Sequence, residues 1–146
     1  MTTSHQRFTP MLVYKDCPAA IDFLCRAFGF AERSRLAMPD GRIGHAELEY
    51  HEQVIALSSE YEEMGLASPI SMASMHSQIQ CQVDDVDAHY EAAKAEGATI
   101  LEPVADQFYG DRIYRAVDPE GHRWIFSKKM REVSREEMEA AVSEMS

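Results

Sequence analysis

The chain is built twice on one plan. Tyr14-Lys15-Asp16 leads into Cys17–Phe28 and then Gly29, and Val83-Asp84-Asp85 leads into Val86–Glu96 and then Gly97. The interval from Asp16 to Gly29 equals that from Asp84 to Gly97. An aspartate side chain can cap the first backbone N–H groups of a helix, and glycine ends one by adopting the left-handed region. Ala20, Ile21, Leu24 and Phe28 form an apolar stripe at helical spacing, and Val86, Tyr90 and Ala93, with Ala92 nearby, form a weaker one. Each glycine precedes three strand-like segments: Phe30–Ala37, Arg42–Tyr50 and Gln53–Ser59, then Thr99–Asp106, Asp111–Val117 and His122–Lys128. Strand, helix, strand, strand, strand, written twice, is a constraint on the whole fold. It predicts an α+β protein of two βαβββ modules.

Asp118-Pro119-Glu120-Gly121 closes the second module. Proline presets φ at the second turn position, and glycine at the fourth supplies a positive φ, so the flanking segments read as a hairpin. The expected organisation is one globular domain: a first module over 1–60, a linker over 61–77, a second module over 78–130 and a C-terminal helix over 131–146. Ser134 and Glu137 have capping-box spacing, Val133 and Met138 have staple spacing, and Met138, Ala141, Val142 and Met145 share one helix face. That face needs cover, from its own sheet or from a second subunit. The linker methionines Met64, Met72 and Met75 either plug core gaps or line an adaptable pocket.

The 146 residues carry 25 acidic against 14 basic side chains, a net charge of −11. Such a field repels nucleic acid and anionic lipid. It either keeps the protein soluble or attracts a cationic ligand. No run approaches a membrane span, and Met1–Phe8 lacks the apolar core of a signal peptide, so a cytoplasmic location is expected. Cys17, Cys25 and Cys81 show no metal-binding spacing and are expected as reduced, small buried residues.

Three stretches together resemble the vicinal oxygen chelate superfamily of glyoxalases, extradiol dioxygenases, fosfomycin-resistance enzymes and bleomycin-resistance proteins. They are Tyr14-Lys15-Asp16, Val83-Asp84-Asp85-Val86-Asp87 and Gln107–Trp124. His45-Ala46-Glu47-Leu48 and Tyr109-Gly110-Asp111-Arg112 are most similar to a bacterial glyoxalase/bleomycin-resistance-like subgroup. The resemblance implies two curved mixed sheets around a cleft, a homodimer that sometimes exchanges modules, and in metal-dependent members a divalent ion held from the first and last strands of each half. Carried over residue by residue, those ligand positions fall on Thr9, about Ala56, Gln78 and Ile125. A divalent ion needs carboxylate or imidazole donors, so no metal and no cofactor is expected.

The remaining histidines supply no second donor set. His45 and Glu47 share a strand face, without a partner pair. His122 falls with Trp124 and Phe126 on the helix-covered side, which predicts a structural role. His51 and His89 read as solvent-facing, His76 sits at a loop-to-strand junction, and His5 lies in the N-terminal tail. Strand alternation assigns Thr9, Met11 and Val13, then His45 and Glu47, then Gln78 and Gln80, then Arg112 and Tyr114, and finally Ile125 to the cleft. Arg112 would bridge to Glu47 or hold a ligand carboxylate. Phe108 and Tyr109 would stand at the rim. The expected function is small-molecule binding or sequestration by a metal-free homodimer, the ligand cationic or polar aromatic, with no nucleic-acid or membrane partner. The alternatives are a lyase or dioxygenase with displaced metal ligands, and a non-catalytic sensing module.

Overall fold

A computed structural model describes residues 6–145; His5 therefore lies outside the described residues. The elements are β1 (Met11–Tyr14), α1 (Cys17–Phe28), β2 (Ala31–Ala37), β3 (Ile43–Tyr50), β4 (Gln53–Ser59), β5 (Ile79–Gln82), α2 (Val86–Ala95), β6 (Thr99–Asp106), β7 (Asp111–Val117), β8 (Arg123–Lys129) and α3 (Arg135–Ser143). Two single turns of 3₁₀ helix, Glu62–Met64 and Pro69–Ser71, interrupt the linker. The strands form two separate four-stranded sheets, β1-β4-β3-β2 and β5-β8-β7-β6. In each, the first strand runs parallel to the last and the others are antiparallel. Parallel neighbours cannot be joined by a tight turn, and the helix of each module supplies part of the long crossover.

Local chemistry fixes the helices. Asp16 accepts from the Ala19 N–H at 3.1 Å, and Asp85 accepts from the Ala88 N–H at 3.0 Å. Gly29 and Gly97 follow the helices in the left-handed region. The α1 stripe is buried as its spacing predicts. On α2 the spacing reading needs correction. Ala92 is exposed, and the face turned inward is Val86, His89, Tyr90 and Ala93. His89 is not solvent-facing. Its Nε2–H donates to the Phe28 carbonyl at 2.8 Å, which leaves Nδ1 to accept from the Tyr114 hydroxyl at 2.6 Å. Its ring lies 4.3 Å from that of Phe126. Burial, partly offset by the bond to Phe28, lowers its pKa from the ordinary 6.5.

Both sheets turn their helix-covered faces into one core. Phe28 and Phe30 of the first half meet Trp124 of the second at ring-centre distances of 5.4 and 5.7 Å. Leu48, Leu57, Tyr114 and Phe126 complete the buried centre. The halves are repeats in sequence but not independent in packing.

The turn at Asp118–Gly121 braces the two halves. Asp118, 3% exposed, accepts from the Tyr14 hydroxyl at 2.5 Å, from Trp124 Nε1–H at 3.2 Å and from the N–H groups of Glu120 and His122. Glu120, 8% exposed, accepts from the N–H groups of Lys15 and Asp16, just ahead of α1, and from the Ser68 hydroxyl of the linker. His122 donates to the Val13 carbonyl at 2.9 Å, the structural role its position predicts. Gly121, at φ 101°, lets the chain reverse where a side chain would be strained. The motif that reads most clearly in the sequence therefore holds β1, the linker and β8 together.

The C-terminal segment leaves the second sheet at Gly110, whose carbonyl accepts from the Met130 and Arg131 N–H groups. A Cβ at Gly110 would run into the Arg131 carbonyl, and φ is 101° there. The Ser134/Glu137 capping box forms as expected. No residue of α3 is buried, and Val142 and Met145 are more than half exposed. The chain's own sheets do not cover that face. The linker methionines do not fill core gaps either: Met64 and Met72 are exposed, and Met75 is half-buried.

Candidate functional site

Strand register sorts the residues of each sheet onto the core face or the opposite, cleft face. In the first sheet Met11 pairs with Ala56, Val13 with Ser58, and Glu47 with Ala56. Met11, Val13, Glu47 and Ala56 thus share the cleft face with His45, and Leu36, opposite His45, joins them. His45 Nε2 lies 3.1 Å from Glu47 Oε2, and Arg33 reaches the other Glu47 oxygen at 3.9 Å. Met11 and Leu36 are 68% and 61% exposed, an uncovered apolar wall. Thr9 is exposed just ahead of β1.

In the second sheet Gln80 pairs with Ile125, and Ile125 with Arg115, which pairs in turn with Glu102. Gln78 precedes β5 beside Arg123, and Arg123 pairs with Val117. The cleft face of this half therefore carries Gln78, Gln80, Arg115, Arg123 and Ile125, with Gln80 donating to the Ser127 hydroxyl at 3.2 Å.

Arg112 and Tyr114 are not on this face. Tyr114 pairs with Phe126 and is fully buried in the core, its hydroxyl bound to His89. Burial pushes its pKa well above the ordinary tyrosine value. Arg112 faces α2 and is spent on Asp87 and Asp106 at 3.0 and 3.1 Å, so it neither bridges to Glu47 nor reaches into the cleft. The strand carries apolar residues on both faces, Ile113 and Val117 against Tyr114 and Ala116, so alternation within it leaves the register open. The hairpin resolves it: pairing across the Asp118–Gly121 turn puts Ala116 against Trp124 and Tyr114 against Phe126. Arg115 and Arg123, the arginines that do face the cleft, are found by the same step.

Two adjoining grooves of about 380 and 390 Å³ lie along this face and share Met75 and Arg123. The first is polar, walled by His76, Gln78, Glu102, Arg115 and Arg123. The second adds Ile70 and Met72 from the linker. A third cavity, about 360 Å³, opens at the seam between the halves, with Phe30, Tyr50, Trp124 and Cys81 in its walls. Burial pushes the Cys81 thiol up to about 11, far from the range of a thiolate nucleophile. Cys17 is buried, and Cys25 and Cys81 are partly so, all as free thiols.

A resident divalent ion does not fit the side chains at the positions the resemblance singles out. Thr9 offers a hydroxyl, Gln78 a carboxamide, and Ala56 and Ile125 nothing. Among the described residues, no three or more His, Cys, Asp or Glu side chains gather as a metal would require.

With this architecture and these sheet faces and grooves described, the chain belongs to the glyoxalase/bleomycin resistance protein/dioxygenase superfamily, whose model matches residues 7–126. An uncharacterized protein of Mycobacterium bovis is 36% identical over 138 residues, 92% of this chain and 91% of that protein. TioX from Micromonospora sp. ML1 is 32% identical, with a TM-score of 0.66 over 88% of this chain and 100% of its own. FosX, a fosfomycin resistance protein of Listeria monocytogenes, is 18% identical, with a TM-score of 0.63 over 92% of this chain and 98% of its own, a likeness of fold alone. Members of one fold differ in chemistry according to their sites. Among the described residues, no helix is long and apolar enough to cross a membrane.

Proposed function

We propose that this protein binds a small molecule without a metal, as a homodimer, and sequesters it rather than converting it. The donor chemistry carries this reading: hydroxyl, methyl, carboxamide and alkyl groups stand where a chelated ion would need carboxylates and imidazoles. The ligand would lie against Thr9, Met11, His45 and Glu47 from the first half, and Gln78, Gln80 and Ile125 from the second. That surface mixes apolar walls with a few hydrogen-bonding ends, the composition of a ligand pocket. Glu47 and the net charge of −11 suit a cationic or polar aromatic group on the first-half wall. Dimerisation would cover the exposed Met11 and Leu36 wall and the open edge of β2, every residue of which is exposed. A second reading, proton-transfer catalysis, draws on the His45–Glu47 pair at 3.1 Å.

A ligand that binds only the folded state raises stability by roughly 2.7 kcal/mol at a hundredfold excess over Kd. A thermal-shift screen of glycopeptide antibiotics and aromatic amines, run with and without EDTA, is expected to give a hit of equal size in both. Stabilisation that appears only when a divalent metal is restored would overturn the metal-free reading.

A further inference from the structure

Arg123 stands out among the half-buried arginines of this acidic chain. Arg26, Arg35, Arg42, Arg112 and Arg135 each hold a carboxylate at 3.0 Å or closer. Arg123 is half-buried, and among the described residues its guanidinium has no ion-pair or hydrogen-bond partner. Arg115 lies diagonally across the β7–β8 ladder on the same face, through the pairs Arg115–Ile125 and Val117–Arg123. Its Nε–H is buried and makes no hydrogen bond. The Glu102 carboxylate is 3.3 Å from that nitrogen, but off the N–H direction, and the Glu102 side chain is 57% exposed. Two guanidinium groups on one sheet face repel each other, and both line the same groove beside Gln78. Among the described residues, Glu102 is the carboxylate within ion-pair distance of the pair; Asp118 and Glu120, which line the adjoining groove with Arg123, are taken up by Tyr14, Trp124, Ser68 and backbone N–H groups.

We infer that Arg115 and Arg123 form an oxyanion subsite, a fork for the carboxylate or phosphate group of the bound small molecule, with Gln78 as an added amide donor. A planar guanidinium presents parallel N–H groups that match two oxygens of such an anion. Met72, Met75 and Ile70 in the adjoining groove would then lie against the apolar body that carries the anion. Glu102 is the internal competitor, holding the place until the ligand displaces it. This inference rests on the binding reading above and adds the charge of the group held by the second half.

Isothermal titration with 1-naphthyl phosphate, 1-naphthol and 1-naphthylmethylamine separates the possibilities. Naphthyl phosphate is expected to bind most tightly. Arg123→Gln and Arg115→Gln should each weaken it about tenfold or more, the scale of one charge-assisted hydrogen bond. Glu102→Gln should tighten it, a gain that misfolding cannot mimic, and Arg112→Gln, on the other face of β7, should leave it unchanged. Added inorganic phosphate should shift the Nε–Hε NMR signals of Arg115 and Arg123 and spare that of Arg112. Equal affinity of the wild-type protein and Arg123→Gln for naphthyl phosphate overturns the subsite, as does failure of naphthyl phosphate to bind. If the amine or the naphthol binds while the phosphate does not, the subsite is wrong and the small-molecule reading stands.

Discussion

His89 shows how much one residue can carry without chemistry on a ligand. It ties α2 to the end of α1 through the Phe28 carbonyl and to β7 through Tyr114. Both bonds suit the neutral ring: Nε2 donates and Nδ1 accepts. Burial lowers its pKa below the ordinary 6.5, so as pH falls the unfolded chain takes up this proton first. The contribution to stability is therefore full above about pH 6.5 and is lost as pH drops below it. Urea unfolding of the wild type between about pH 7.5 and 5.5 should lose stability faster than unfolding of His89→Gln, which lacks the titrating ring. Parallel pH profiles for the two proteins would contradict this assignment. The residue was open to detection in the sequence. It stands at i+3 from Val86 and is followed by Tyr90 and Ala93 at i+4 and i+7, the spacing of a buried face. A polar side chain on such a face is easily passed over, because its burial depends on partners in other elements.

At the scale of elements, the brace around Asp118 and Glu120 explains why so specific a motif says so little about function. Its carboxylates are consumed by Tyr14, Trp124, Ser68 and backbone N–H groups of both halves. Burial and then the Asp118 carboxylate raise the Tyr14 pKa, so its hydroxyl stays a donor. Tyr14→Phe removes that donor from a buried carboxylate and should cost about 1–3 kcal/mol. Because the core is shared, the loss should appear as one earlier transition in Trp124 fluorescence and far-UV circular dichroism alike. An unchanged midpoint, or a first half that melts separately, would contradict the brace. The elements were legible almost to the residue, since capping aspartates, glycines and turn residues act locally. The facing of β7 was not. Ile113 and Tyr114 are both buried, on opposite faces, so the pattern within the strand carried no preference, and only its pairing with β8 decided which arginines look into the cleft.

At the scale of the whole molecule, the duplication sets the architecture, and Thr9, Ala56, Gln78 and Ile125 stand where the resemblance would place metal ligands. What the sequence could not supply was the pairing between charges distant in the chain. Only a one-residue slip in register would turn Arg112 to the cleft; it is bound to Asp87 and Asp106 on the other face, whereas among the described residues Arg123 has no carboxylate partner. The apolar face of α3 is likewise uncovered by the described residues, with Val142 and Met145 exposed. The central claim, a metal-free binding dimer, is tested most directly by native mass spectrometry of protein purified without chelator. The account predicts a species at twice the 16.5 kDa chain mass with no bound metal. A monomer at micromolar concentration, or one tightly held Zn, Ni, Fe or Mn ion per chain, would contradict it.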